Sequence, residues 1–190
     1  MHIGRIAIIA LACVLVASFS IAATNSGYRE EDAADVQDWS SFVGVYPNEK
    51  LVRAFTGEKN SDSDLVVEFS ARRMAMFIYT PTQAQDTQDD ISMSGTVSID
   101  GKPAKSITLL GQVADRVAFF EVNDRALPGI VQEMAQGRQV RFTINPVFGG
   151  KPTKLTFSLA GFASAFTRAV GLSQKHFGHR RSIGEYFRIR

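Results

Sequence analysis

Apolar and polar residues alternate in short segments along most of the chain, and this alternation predicts a protein built mainly from β-strands. The clearest example is a hairpin in which residues 138–144 and 155–159 carry apolar side chains at every second position. Residues 116–122 are less decisive, because their apolar positions also fit one face of a helix. The predicted strands are 40–45, 50–55, 65–70, 74–79, 92–99, 106–110, 116–122, 138–144 and 155–159.

Two other segments repeat their apolar residues every three or four positions, which is the spacing of an amphipathic helix. Residues 127–134 form the first, which Gly137 is expected to end, and residues 162–170 form the second, which Gly171 is expected to end. Many short strands with two short helices predict a mainly β fold, either a single-domain β-sandwich or an open barrel. The chain contains 14 phenylalanines, which require a packed interior.

The first 23 residues predict that the chain is exported. Arg5 is followed by an apolar run over residues 6–23 that ends in small residues, and this is the pattern of a secretory signal peptide cleaved near Ala22 or Ala23. The run is also close to the roughly 17–25 residues that span a bilayer, so an uncleaved anchor is the alternative. The domain is therefore expected in the periplasm or outside the cell, or anchored in the inner membrane facing the periplasm.

Charge and composition divide the rest of the chain into three segments. Residues 24–38 are polar and acidic and are expected to be a flexible lead-in, and residues 39–172 are expected to form the β-rich globular domain. Residues 173–190 are basic, have few apolar residues and are expected to form a mobile tail. The net charge is only +2, so nucleic acid is not an expected partner.

Few of the groups that catalysis or metal binding requires occur after the leader. The single cysteine, Cys13, lies within the apolar run, so the exported chain is expected to have no disulfide, thiolate nucleophile or cysteine-bound metal. Asp62 and Asp64 are spaced as in a calcium loop, but the glycine and glutamate that this loop requires further on are missing. Glu68 and Glu121 would form a carboxylate pair only if folding brought them together. No enzyme activity and no cofactor are therefore expected.

The closing part of the domain, residues 95–172, carries a distinctive series of elements. Residues 97–103 read as a strand with a tight turn, residues 135–137 end a short helix, and residues 155–166 carry a strand, Ser-Leu-Ala-Gly-Phe and a small helix. This series resembles the periplasmic invasion-associated locus B family of proteobacteria, and a type VI secretion accessory family closes in a similar way. The resemblance implies a secreted β-rich domain and provides no catalytic residues.

Cations and aromatic rings are mixed in the basic tail, which makes it a candidate site for anionic lipid headgroups or lipopolysaccharide phosphates. Two of its histidines are three residues apart, but no neighbouring acidic residue or cysteine completes a metal site. A solvated tail without a ligand is the alternative. The candidate contact residues are Lys175, His176, His179, Arg180, Arg181, Arg188 and Arg190.

These observations predict an exported, non-catalytic interaction protein of a bacterial cell envelope, and the resemblance adds an association with invasion or host interaction. Its expected partner is another envelope protein, with anionic lipid as a second contact through the tail. The alternative is a membrane-anchored accessory subunit of a secretion or envelope complex, in which residues 6–23 remain attached.

Overall fold

A single antiparallel sheet with two helices makes up the described part of the chain, which confirms the predicted mainly β fold. A computed structural model describes residues 28–178 except residues 60, 88, 124 and 147–149. The strands are β1 (Arg29–Val36), β2 (Trp39–Val45), β3 (Lys50–Gly57), β4 (Asp64–Phe69), β5 (Met74–Pro81), β6 (Ile91–Ile99), β7 (Lys105–Ala114), β8 (Val117–Val122), β9 (Gln139–Ile144) and β10 (Thr153–Ser158), and the helices are α1 (Leu127–Met134) and α2 (Phe162–Phe177).

The strands pair in the order β1-β2-β3-β4-β5-β8-β7-β6-β9-β10. Because the edge strands β1 and β10 do not pair with each other, the described sheet is open and not a closed barrel. The turn between β6 and β7 places Asp100 and Gly101 at φ values of 52° and 72°, as the Asp-Gly hairpin signal predicts. Residues 116–122 contribute β8, which is a strand because β5 and β7 pair with it on both sides.

The predicted flexible lead-in over residues 24–38 is wrong for residues 29–36, which form β1. β1 pairs with β2 on both sides of a bulge at residues 32 and 33, so most of its backbone groups are bonded in the sheet. Its charges are also paired, because Glu31 lies 2.7 Å from Arg29 and 3.8 Å from Lys50. The polar sequence of β1 therefore does not indicate a strand, because the strand is stabilised by pairing with β2 and by the contact of Glu31 with Lys50 of β3. Residues 24–27 lie outside the described residues.

The predicted helix end at Gly171 is also wrong, because α2 continues through this residue to Phe177. A glycine inside a helix costs about 1 kcal/mol relative to alanine. Leu172 and Ser173 are buried, and the packing of this last part of α2 offsets that cost. The left-handed C-terminal cap is Gly178, with φ of 64°. The tail predicted over residues 173–190 therefore begins as helix, and residues 179–190 lie outside the described residues.

The core lies between the helices and the inner face of the sheet. α2 packs across β1 to β4, where the Phe162 ring lies 4.6 Å from Trp39 and the Phe166 ring lies 5.6 Å from Phe69. α1 buries its apolar side against the same cluster, and its Pro128 occupies the first turn as the sequence predicts. Both described helices thus cover the inner face.

The two ends of the sheet meet through side chains. The indole N–H of Trp39 in β2 donates to the Ser158 carbonyl of β10 at 2.8 Å. The Glu58 carboxylate, which follows β3, accepts the Thr156 backbone N–H of β10 at 2.7 Å. These bonds occupy edge groups of β10 that would otherwise be available to pair with another strand.

Candidate functional site

The outer face of the sheet is divided into an apolar half and a polar half. Side chains alternate along each strand, so the neighbours of core residues on β2, β3, β4, β5 and β8 point outward and lie side by side in the paired register. We call this half the aromatic face. It consists of Phe42, Tyr46, Leu51, Arg53, Phe55, Asp64, Val66, Glu68, Phe77, Tyr79, Phe119 and Glu121.

The other half of the outer face, on β6, β9 and β10, carries hydroxyl, amide and charged side chains. The cross-strand pairs Thr96–Thr143 and Arg141–Thr156 are typical of it. Its outward residues are Ser92, Ser94, Thr96, Ser98, Gln139, Arg141, Thr143, Lys154, Thr156 and Ser158. Two halves of one sheet with the same strand geometry therefore present different chemistry.

Aromatic rings contact one another across the strands of the aromatic face. The Phe42 and Phe55 rings meet edge to face at 5.6 Å between centroids, and the Tyr79 ring lies 6.1 Å from Phe77 and 6.3 Å from Phe119. Val66 is only 3% exposed although it points away from the core cluster. Phe42 and Leu51 are buried as well, whereas the other aromatic residues of the face on β3, β5 and β8 are partly exposed. Partly exposed aromatic residues are typical of interaction surfaces.

An ion pair is buried within this layer. Arg53 of β3 lies directly opposite Glu68 of β4, and two of its guanidinium nitrogens, Nη2 and Nε, lie 2.7 and 2.8 Å from the same Glu68 oxygen. The Arg53 guanidinium also donates to the Tyr46 hydroxyl at 3.1 Å. Burial disfavours the charge on Arg53, but the Glu68 carboxylate, with contributions from Tyr46 and Tyr79, outweighs this effect and raises the pKa of Arg53 above its ordinary value. Arg53 therefore stays charged.

Two further polar groups of the aromatic face are the Tyr79 phenol and the Glu121 carboxylate. Burial raises the pKa of Tyr79 well above its ordinary value, so its phenol stays protonated at physiological pH. Glu121 pairs with Arg73, whose Nη2 lies 3.0 Å from Glu121 Oε2. Glu68 and Glu121 are thus on one face, but each carboxylate has its own arginine and the two do not form an acid–base pair.

Asp64 is the exception on this face, because its side chain makes no hydrogen bond and no ion pair with the described residues. It lies between Gly57 on β3 and Tyr79 on β5, directly opposite both. Burial, with a smaller contribution from the nearby Asp62 carboxylate, raises the pKa of Asp64 to about 6. Asp64 is therefore ionised at neutral pH, and its poorly solvated charge lowers the free energy of unfolding.

That cost predicts a pH-dependent stabilisation by Asp64→Asn. The pKa of Asp64 rises from 3.8 to about 6 on folding, so this group destabilises the folded state increasingly as pH rises from 3.8 to about 6 and has its full unfavourable effect above that range. We expect the substitution to raise the free energy of unfolding by about 1–3 kcal/mol near pH 7.5 and to change it little near pH 4.

Urea denaturation at both pH values measures this difference. Asp62→Asn, in the exposed loop, is the control, and its effect should stay within about 0.5 kcal/mol. A gain from Asp64→Asn that is equal at the two pH values would contradict the assignment.

The structure places two of the predicted tail residues at the C-terminal end of α2, where they contact β1. Lys175 Nζ lies 3.1 Å from the Asp32 carboxylate, and His176 Nε2 lies 3.7 Å from the same oxygen. The hydrogen bond and charge of Lys175 lower the pKa of Asp32. The acidic segment that follows the leader is thus in contact with the first two cationic residues of the basic segment. The other predicted contact residues, His179, Arg180, Arg181, Arg188 and Arg190, lie outside the described residues.

Arg168, on the preceding turns of α2, contacts β1 and β2, and the sequence alone did not indicate this role. Its guanidinium donates to the Ser41 carbonyl and hydroxyl, both at 3.0 Å, and to the Asp32 carbonyl. Asp32 has a φ of 53°, and the pairing register of β1 shifts between Glu31 and Ala34, so a bulge turns this residue toward α2. The cations of α2 in the described part therefore hold β1 in place, and contact with anionic lipid through Lys175 and His176 stays a prediction.

Within the described ranges, no group of three or more histidine, cysteine or acidic side chains is placed to hold a metal ion. No helix among the same residues is both long and apolar enough to cross a membrane. A small open cleft is lined by Asp100, Arg138 and Gln139, but the Asp100 carboxylate already accepts the Arg138 and Gln139 backbone N–H groups at 2.8 and 3.0 Å. Comparison with known proteins finds no matching family, curated protein or solved structure. The aromatic face is therefore the strongest candidate site.

Proposed function

We propose that this chain is an exported, non-catalytic interaction protein of a bacterial cell envelope that binds a protein partner through the aromatic face. One observation carries the proposal, namely the contrast between the aromatic half and the polar half of the same outer face. Tyrosine, phenylalanine and arginine are enriched in protein interfaces, and a rigid antiparallel sheet presents them with little loss of conformational entropy on binding.

The charge states on the aromatic face favour binding over catalysis. Arg53 and Glu68 form an ion pair with each other, and the raised pKa of Tyr79 keeps its phenol protonated. These groups supply hydrogen bonds, apolar area and fixed charge, whereas proton transfer requires a group poised near the working pH with a substrate against it. The pKa of Asp64 lies near that range, but its side chain makes no hydrogen bond to a second group that could relay a proton among the described residues.

Substitutions on the two halves of the outer face test the proposal against a matched control. Phe55→Lys with Phe77→Lys adds two charges to the aromatic face, and Thr96→Lys with Thr143→Lys adds two to the polar half; all four positions are partly exposed. Native gels of envelope extracts measure the share of the chain in larger complexes. We expect the first variant to lower that share by about tenfold or more and the second to leave it within about twofold.

Equal shares for wild type and both variants would contradict the proposal, as would an equal loss in both. Circular dichroism establishes that each variant is folded, so a loss of complex is assigned to the surface.

The apolar run over residues 6–23 supports a second candidate, the membrane-anchored accessory subunit. The intact mass of the protein recovered from the cell envelope separates the two. A mass lacking the first 22 or 23 residues supports the exported form, and the full mass in the membrane fraction supports the anchored form. The full-length mass in the cytosol would contradict both.

A further inference from the structure

We propose that the aromatic face binds a basic segment of its partner, which places one lysine or arginine side chain against the Asp64 carboxylate and apolar neighbours against Phe55 and Phe77, which are both partly exposed. This inference rests on the proposed function and adds the chemistry of the partner. Its first support is charge complementarity, because Asp64 carries the one uncompensated charge among the described residues of the face.

The pairing of the other charges shows why Asp64 is distinctive. The Arg53–Glu68 and Arg73–Glu121 pairs each neutralise themselves across neighbouring strands. The charge that raises the pKa of Asp64 further, beyond the effect of burial, is the Asp62 carboxylate, which is also acidic. A cation from outside therefore gains the attraction of both carboxylates, and no described cation is paired with Asp64 that it would have to displace.

The cross-strand neighbours of Asp64 determine what an incoming cation would meet. Its partner on β3 is Gly57, which has no side chain, and a Cβ at that position would stand 3.4 Å from Asp64 Oδ1. On the other side its partner is Tyr79, an aromatic residue of the kind that attracts cations. A flexible basic side chain would thus meet a carboxylate with an aromatic residue on one side and a position without a side chain on the other.

The next positions along the strands define the surroundings of the cation. Val66 follows Asp64 on the same face of β4, with Phe55 opposite on β3 and Phe77 opposite on β5. These side chains offer only apolar contact, so the basic residue of the partner should be flanked by apolar residues. A divalent metal fits less well, because no third carboxylate, histidine or cysteine joins Asp62 and Asp64 within the described part.

The cost of charging Asp64 gives the cation its advantage over a neutral group. Burial raises the pKa of this carboxyl to about 6, which shows that its charge is poorly solvated in the free protein. A cation that binds the ionised form restores the lost stabilisation. By linkage, binding must lower the pKa of Asp64.

Two small probes that share a phenylethyl group, one with an ammonium and one with a neutral hydroxyl, test the inference. Phenethylammonium carries the amine of a basic side chain beside an apolar group, and 2-phenylethanol is its neutral analogue. Nuclear magnetic resonance follows the Asp64 carboxyl carbon and the Phe77 and Tyr79 rings of the protein during titration near pH 7.5. We expect the ammonium to bind about tenfold more tightly than the alcohol and to lower the pKa of Asp64.

Asp64→Asn should abolish this preference, whereas Asp62→Asn in the exposed loop should retain most of it. A preference that survives Asp64→Asn, or equal binding of the two probes, would overturn the inference, as would the absence of any shift at the Asp64 carboxyl. Equal binding accompanied by shifts at Phe77 and Tyr79 would leave the proposed function standing and reject only the cationic partner. The native-gel comparison tests the proposed function independently of these probes.

Discussion

Arg53→Met is expected to lower the free energy of unfolding by roughly 3–5 kcal/mol. The substitution keeps much of the side-chain volume but leaves the Glu68 carboxylate without its partner, at a position where that side chain is only 15% exposed. It also removes the hydrogen bond to the Tyr46 hydroxyl. Urea denaturation of the wild type and the variant measures the loss.

Two further variants show whether burial of the charge is the cause. Arg73→Met breaks the pair with Glu121, but the Arg73 side chain is 59% exposed, so the expected cost is about 1 kcal/mol or less. Combining Arg53→Met with Glu68→Leu removes both buried charges and should recover most of the lost stability. Equal losses for Arg53→Met and Arg73→Met, or a double variant no more stable than the single one, would contradict this explanation.

Gly161→Ala is expected to cost about 3 kcal/mol or more, or to prevent folding. Gly161 precedes α2 with φ of 91°, a conformation that L-residues rarely adopt, and an added Cβ would stand 2.0 Å from the Val36 carbonyl oxygen of β1. The new methyl group would force apart the junction where β10, α2 and the end of β1 meet. Thermal and urea unfolding measure the effect.

Gly171→Ala is the matched control within the same helix. Apart from its chain neighbours and the surrounding helix backbone, no atom lies within 4 Å of a Cβ built at this exposed helical position, so alanine should stabilise the protein by about 0.5–1 kcal/mol. A destabilisation by Gly171→Ala, or a harmless Gly161→Ala, would show that α2 or its junction with β1 is wrongly placed.

Local patterns in the sequence were sufficient to predict most of the strands and the positions of both described helices, but not the order in which the strands pair. Strands such as β9 and β10 alternate between a buried and a solvated face, and this period of two is visible without tertiary information. β1 was missed because its side chains are mostly polar and its stability comes from pairing with β2. Gly171 was misread because the burial of Leu172, which keeps α2 continuous, is a tertiary contact.

The candidate site was harder to predict for the same reason. The sequence directed attention to the basic tail, where cations cluster locally, whereas the aromatic face is assembled from five strands. One signal was available, because residues 65–67 are apolar without interruption, which indicates a strand buried on both faces. The Arg53–Glu68 pair and the Arg168 contact with Asp32 join positions whose register only the folded sheet defines.

Site-specific photocrosslinking in cells tests most directly whether the aromatic face is the interaction surface. A photoreactive phenylalanine analogue is placed at position 77 on the aromatic face or at position 143 on the polar half, both partly exposed. We expect position 77 to give a discrete crosslinked product with an envelope protein and position 143 to give little or none. Equal crosslinking from the two positions, or a product from position 143 alone, would contradict the account.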